Sequence, residues 1–130
     1  MTNTTSGQFR YQPGICNIDD PGARWRKKLG YINFLAGIIA LVLSYAFHVH
    51  VILRFIIGAS AGFTTSLNFL QAHEHFCVMN GAQRTFETSL HRTKITNDLY
   101  KDVDRKKMLN MIGRSLIYAL IGGSAGLLPL

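Results

Sequence analysis

Acidic residues and cysteines are scarce in this 130-residue chain, which has 7 Asp and Glu against 14 Lys and Arg, and only 2 cysteines. Two cysteines cannot build the disulfide framework of a small secreted domain, and a reducing compartment suits both. Neither C-x-x-C nor His-x3-His occurs, so the spacing of a structural zinc site is missing. Phosphate-binding glycine loops and Ser-His-Asp spacings are also lacking, which argues against an enzyme and leaves no cofactor expected. Asp19, Asp20, Glu74, Glu87, Asp98, Asp102 and Asp104 all fall outside the long apolar runs. No carboxylate is therefore placed to relay protons through a bilayer.

What the chain does have is apolar sequence, 48% of residues against 16% charged, and it is concentrated in runs. Residues 29–49 contain no Asp, Glu, Lys or Arg. A bilayer core of about 30 Å needs roughly 20 helical residues, so this run is long enough to span. Residues 55–71 form a second run, and residues 115–130, preceded by MLNMIGR, form a third. The fold class expected is an all-α membrane protein, with an antiparallel transmembrane hairpin over residues 29–80 and a third transmembrane or interfacial helix over residues 108–130. Arg54 and Arg114 stand near run ends, where long cationic side chains snorkel to the surface.

Residues 1–28 read as a polar N-terminal tail, flexible through residue 16. An Asp-Pro-Gly turn follows, and then Arg24, Trp25, Arg26, Lys27 and Lys28, the basic and aromatic dress of lipid headgroups at a membrane interface. With 28 mostly polar residues ahead of the first run and no small-x-small site behind it, a cleaved signal peptide is not expected. Asn80-Gly81 offers a helix C-cap, so the second helix is expected to run to about Asn80. Residues 81–107 make a basic loop, irregular at first and helical from Thr96, with Asp102 and Lys106 as an i,i+4 pair. The +7 net charge gathers beside the apolar runs, which points to phospholipid and not to nucleic acid as partner. By the positive-inside rule the N-terminus and the 71–107 loop are cytoplasmic and the FHVHV turn is outside.

Small and polar residues recur along each run. Gly30, Asn33, Gly37, Ala40 and Ser44 form one stripe; Gly58, Ala61, Thr65, Asn68 and Ala72 form a second; Ser115, Ala119, Gly122, Gly126 and Pro129 form a third. Such stripes let helix backbones approach in lipid, and their seven-residue period implies left-handed packing. Asn33 should lie level with Asn68, so a hydrogen bond across the hairpin from Asn68 or Thr65 is expected. Three helices of this size are expected to enclose no pocket. The stripes exceed what one hairpin contact uses, so the role expected is a homo-oligomer or an accessory subunit of a larger membrane complex; an oligomeric channel is a weaker alternative.

The segment LQAHEHFCVMNGAQ closes the second run and suggests the main rival. On a continuous helix His73 and Cys77 share a face while His75 points away. With Cys16 from the tail, these residues are candidates for a cytoplasmic thiol or metal site, since thiolate and imidazole suit zinc and nearby histidines activate a thiol. Cys77 is the candidate reactive residue; His48 and His50 lie at the opposite end.

RWRKKLGYINFLAGIIAL, a tight return and then LQAHEHFCVMNGAQR together resemble the YgaP-like group of small inner-membrane hairpin proteins, some of which are fused to a sulfur-transferring rhodanese domain. Gln71, Ala72, Cys77 and Val78 match the end of the second helix in stand-alone members, whereas His73 stands where an Arg belongs. The likeness runs from about residue 17 to 128 and includes DRKKMLNMIGRSLIYALI. No rhodanese domain is present, so the resemblance implies a membrane hairpin protein and leaves Cys77 as the one residue through which sulfur chemistry could act.

Overall fold

The computed structural model describes residues 11–83, 85–88 and 91–129. Its elements are α1 (Asp20–Ala46), α2 (Val51–Glu74), the short α3 (Val78–Gln83), strands β1 (Thr85–Thr88) and β2 (His91–Lys94), and α4 (Asp98–Gly126). The chain is mostly helical, and α1 and α2 are, among the described residues, the two helices long and apolar enough to cross a membrane.

α1 starts nine residues before its apolar run, at Asp20 and not at Leu29. Asp19 is the N-cap, its carboxylate accepting from the Gly22 N–H at 3.2 Å, and Asp20 and Pro21 occupy the first turn. Asp-Pro-Gly is therefore a helix start and not a free turn: Pro has no N–H to lose there, and acids favour the positive end of the helix dipole. The return between α1 and α2 is tight, with His48 in the left-handed region at φ 54° and His50 Nδ1 accepting the Ile52 N–H at 3.2 Å as the α2 N-cap.

The end of α2 differs from the sequence reading. The helix stops at Glu74, where His75 takes the left-handed conformation, φ 51°, and its N–H bonds the Gln71 carbonyl. Asn80-Gly81 instead belongs to α3. Downstream, the stretch read as irregular contains an antiparallel β-hairpin pairing Thr85 with Lys94 and Phe86 with Thr93. α4 begins under an Asn97 cap, whose side chain accepts from Leu99 and Tyr100, and runs on without a break. Its 29 residues extend about 43 Å, so part of α4 must lie beyond a bilayer core if the rest crosses one. Lys101 pairs with Asp98 at 3.4 Å, in place of the expected Asp102 to Lys106 pair.

α2 is the middle helix, packed by α1 on one side and α4 on the other. Small residues sit at both contacts. Gly37 faces Ala61, and the Gly30 backbone lies under the Phe69 ring, where an added Cβ would meet ring carbons at 3.0 Å. Gly58 and Gly122 lie against each other's carbonyls, Gly62 meets the Tyr118 carbonyl and Gly126 meets that of Arg54, all too closely for a side chain. The cross-hairpin hydrogen bond is not formed. Asn68 Nδ2 donates to Thr64 in its own helix at 2.9 Å, and Thr65 Oγ1 is buried without a partner. Nor is the bundle solid: an apolar groove of about 580 Å³ opens over α2 between α1 and α4, contrary to the expectation of no pocket.

Two arginines are engaged within the bundle. Arg54 lies 4.4 Å from the Tyr45 ring centroid, and the Tyr45 hydroxyl donates to the carbonyls of Ala125 at 2.7 Å and Leu128 at 3.1 Å. Arg114 binds Glu74 at 2.8 Å, and Lys107 binds the other oxygen of the same carboxylate. Arg114 and Lys107 thus tie α4 to the end of α2, while Arg54 packs on the Tyr45 ring whose hydroxyl ties the far end of α4 to α1, roles that snorkelling does not foresee.

Candidate functional site

A helix that ends in apolar surroundings leaves carbonyls and N–H groups that need partners. At the end of α2 these partners come from the N-terminal segment. Asn17 is fully buried; its Oδ1 accepts the Cys77 N–H at 2.6 Å and its Nδ2 donates to the Cys77 carbonyl at 3.2 Å. The backbone N–H groups of Asn17 and Ile18 both donate to the His75 carbonyl, at 2.9 and 3.3 Å. Gln71, also buried, accepts the Val78 N–H on Oε1 at 2.8 Å and the Phe76 N–H on its carbonyl at 3.1 Å. Residues 11–19 are thus a packed part of the fold, not the flexible stretch suggested by their polarity.

Inside this knot sits Cys77, 2% exposed and packed with Ile18 and Ala23. Its Sγ accepts a hydrogen bond from Arg26 Nη2 at 3.0 Å. Arg26 belongs by sequence to the headgroup cluster, yet its guanidinium turns inward to the thiol while Trp25 stays exposed and Lys28 sits 5.9 Å from the Trp25 ring. No spacing rule connects residues 26 and 77; only the antiparallel return of α2 beside α1 brings them together. The histidines do not join them. His75 Nε2 contacts Asp20 Oδ1 at 2.9 Å, and His73 is exposed on the last turn of α2, because the break at His75 ends the helix face that His73 and Cys77 were expected to share.

Cys16 lies in a second cluster. It closes a tight turn with Gln12, the two exchanging backbone hydrogen bonds at 3.0 and 3.1 Å, and burial pushes its thiol up from the ordinary value. Next to it, the fully buried Asp104 of α4 accepts the Tyr11 hydroxyl at 2.5 Å and the Gly14 N–H at 2.7 Å. Burial holds the Asp104 carboxyl above the usual range, against the pull of those two hydrogen bonds. The Tyr11 phenol is likewise pushed up, first by burial and then by Asp104. Tyr11 also stacks on Phe86 of β1, with ring centroids 4.9 Å apart, so segment 11–16 ties the β-hairpin to α4.

Cys16 and Cys77 are both free thiols. Among the described residues no three His, Cys, Asp or Glu side chains converge as a metal ion requires. The set His73, His75, Cys77 and Cys16 is divided between an exposed helix turn, a contact to Asp20 and two separate buried positions. The arrangement satisfies the broken end of α2 and fixes the N-terminal segment against α1, α2 and α4. Asn17, Gln71 and Asp104 are its main polar residues, and sequence reading missed them because a buried Asn or Asp looks like a loop residue until its partners are known. No protein-family model matches the chain, and no curated protein and no solved structure matches it either.

Proposed function

We propose that this is a small integral membrane protein of the bacterial inner membrane, with α1, α2 and the second half of α4 crossing the bilayer. The polar cap and N-terminus face the cytoplasm, and the chain works as a non-enzymatic accessory or oligomer-forming subunit. The outer surfaces of α1 and α4 support membrane residence: Ile32, Leu35, Ile39 and Val42 on α1, and Leu116, Ile117 and Leu120 on α4, are all exposed. Exposed apolar side chains at this density suit a lipid solvent. The orientation rests on the basic residues around α1's start and in residues 84–107. Membership of the YgaP-like group is part of the same proposal and rests on Gln71, Ala72, Cys77 and Val78.

The subunit role is carried by apolar side chains that lipid would not cover. Leu99 is 73% exposed and Val103, four residues on and so on the same helix face, is 44% exposed; both lie in the first turns of α4, on the cap. Gly14 packs on Val103, and the next residue, Ile15, is 59% exposed. Because the glycine faces are used inside the bundle, a partner has this patch to bind instead. Blue native electrophoresis of gently solubilised membranes tests it: a species larger than one chain is expected, lost in the double variant Leu99→Ser, Val103→Ser. A single chain in the wild type, or a large species indifferent to the double variant, would refute the subunit reading.

A further inference from the structure

α1 carries a stripe that changes from basic to apolar. Arg24, Lys27, Tyr31, Phe34, Ile38 and Leu41 follow steps of three and four and so share one helix face. Two hollows lie along it. The first, about 460 Å³, is lined by Arg24 and Lys27 of α1 with Ala72 and His73 of α2. The second is the apolar groove of about 580 Å³, which Phe34, Ile38 and Leu41 share with Thr65 of α2 and Ile121 of α4. Phe69 and His73 line both, so the basic hollow and the apolar groove adjoin. Tyr31 braces the junction, its ring edge-on to Phe69 with centroids 5.1 Å apart.

The charges at the mouth are available. Neither Arg24 nor Lys27 forms an ion pair among the described residues, and Asp20, the acid lining this hollow, is held by His75. From His73 to Gly58 the groove follows α2 for about 22 Å. That exceeds the roughly 15 Å of hydrocarbon in one leaflet.

We propose that the two hollows form one binding site for a single anionic phospholipid, its phosphate between Arg24 and Lys27 beside His73 and one acyl chain lying along the groove. This rests on the membrane reading and adds a resident ligand to it. A zwitterionic lipid offers the same chain but carries its own cation, so it gains less from two free basic side chains. Each basic residue near an anionic surface is worth about 1 kcal/mol, so removing both should weaken binding about 30-fold.

Native mass spectrometry of the full chain reconstituted with an equimolar mixture of dioleoyl phosphatidylglycerol and dioleoyl phosphatidylcholine tests the site. One retained phosphatidylglycerol per chain is expected. Arg24→Gln with Lys27→Gln should lower its retention about 30-fold and remove the preference. Thr65→Phe, which fills the groove at a side chain whose hydroxyl has no partner to lose, should displace the lipid while circular dichroism stays unchanged. Equal retention of both lipids, or a preference untouched by the charge variant, overturns the proposal. So does a bound lipid lost with the charges but kept in Thr65→Phe, which would be a headgroup contact without a chain site, or a groove filled by a second copy. Flotation with phosphatidylcholine vesicles separates the two failures: a chain that does not float refutes the membrane reading, and one that floats without lipid preference refutes this site alone.

Discussion

Asn17 shows how much one side chain can hold at the broken end of α2. Asn17→Ala leaves both backbone groups of Cys77 without their partners in a buried place, at about 1–3 kcal/mol per group. We expect a clear fall in melting temperature in detergent, and a loss no larger than that of an exposed-site control such as Asn110→Ala would refute the role. Cys77 is 2% exposed and Cys16 8%, so neither should react with maleimide in the folded protein and both should react as it unfolds. Labelling of Cys77 within the mixing time under native conditions would revive the reactive-thiol reading. Asp104 gives a pH dependence with a definite sign. Its folded value is raised by burial, so its contribution is full below the unfolded carboxylate value of about 3.9 and is lost as pH rises through the folded value. Tyr11 acts in the same direction at alkaline pH. The Gly14 N–H, which donates to Asp104, should therefore lose protection against exchange as pH is raised through the folded Asp104 value, once intrinsic rates are removed, and Asp104→Asn should abolish that loss.

At the scale of elements, the contact between α2 and α4 depends on backbones that touch. Gly58→Leu or Gly122→Leu places a side chain where a carbonyl already stands, so the helices must separate. We expect either variant to unfold the bundle within one chain, read as loss of cooperative melting; a well-folded bundle with a changed oligomer would mean that the glycines serve assembly instead. The α1–α2 return holds a milder strain. His48 is exposed and left-handed, a conformation costing roughly 1 kcal/mol for a residue with a Cβ. His48→Gly should raise stability by up to about that amount, less the entropy glycine adds to the unfolded chain.

For the whole molecule, the bundle divides into an apolar three-helix body and a polar cap built, among the described residues, from 11–19, 75–83, 85–88, 91–97 and the first turns of α4. The cap contains the exposed patch of Leu99 and Val103, and the body contains the apolar groove. The proposed orientation makes a direct prediction. Met79→Cys, exposed on the cap, should be labelled by a membrane-impermeant maleimide in inside-out vesicles, and His48→Cys, exposed at the hairpin tip, in right-side-out ones. The opposite pattern would invert the topology.

The apolar runs, the basic flanks and the glycine periodicity are local properties of the sequence, and they were enough to read a helical body, its hairpin return and the stripes of small residues along each helix. Even the early start of α1 was written there, in Asp19, Asp20 and Pro21, though it reads equally well as a turn. What the sequence left open were the choices made between distant residues. Whether the helix passed through His75 depended on Asn17 waiting to bond the exposed backbone, and whether Arg26 met lipid or a thiol depended on where the return set α2 beside α1. The glycine stripes carried no label saying which backbone they admit; packing α2 between α1 and α4 assigned them, and left between the outer two helices the groove that no single helix could announce.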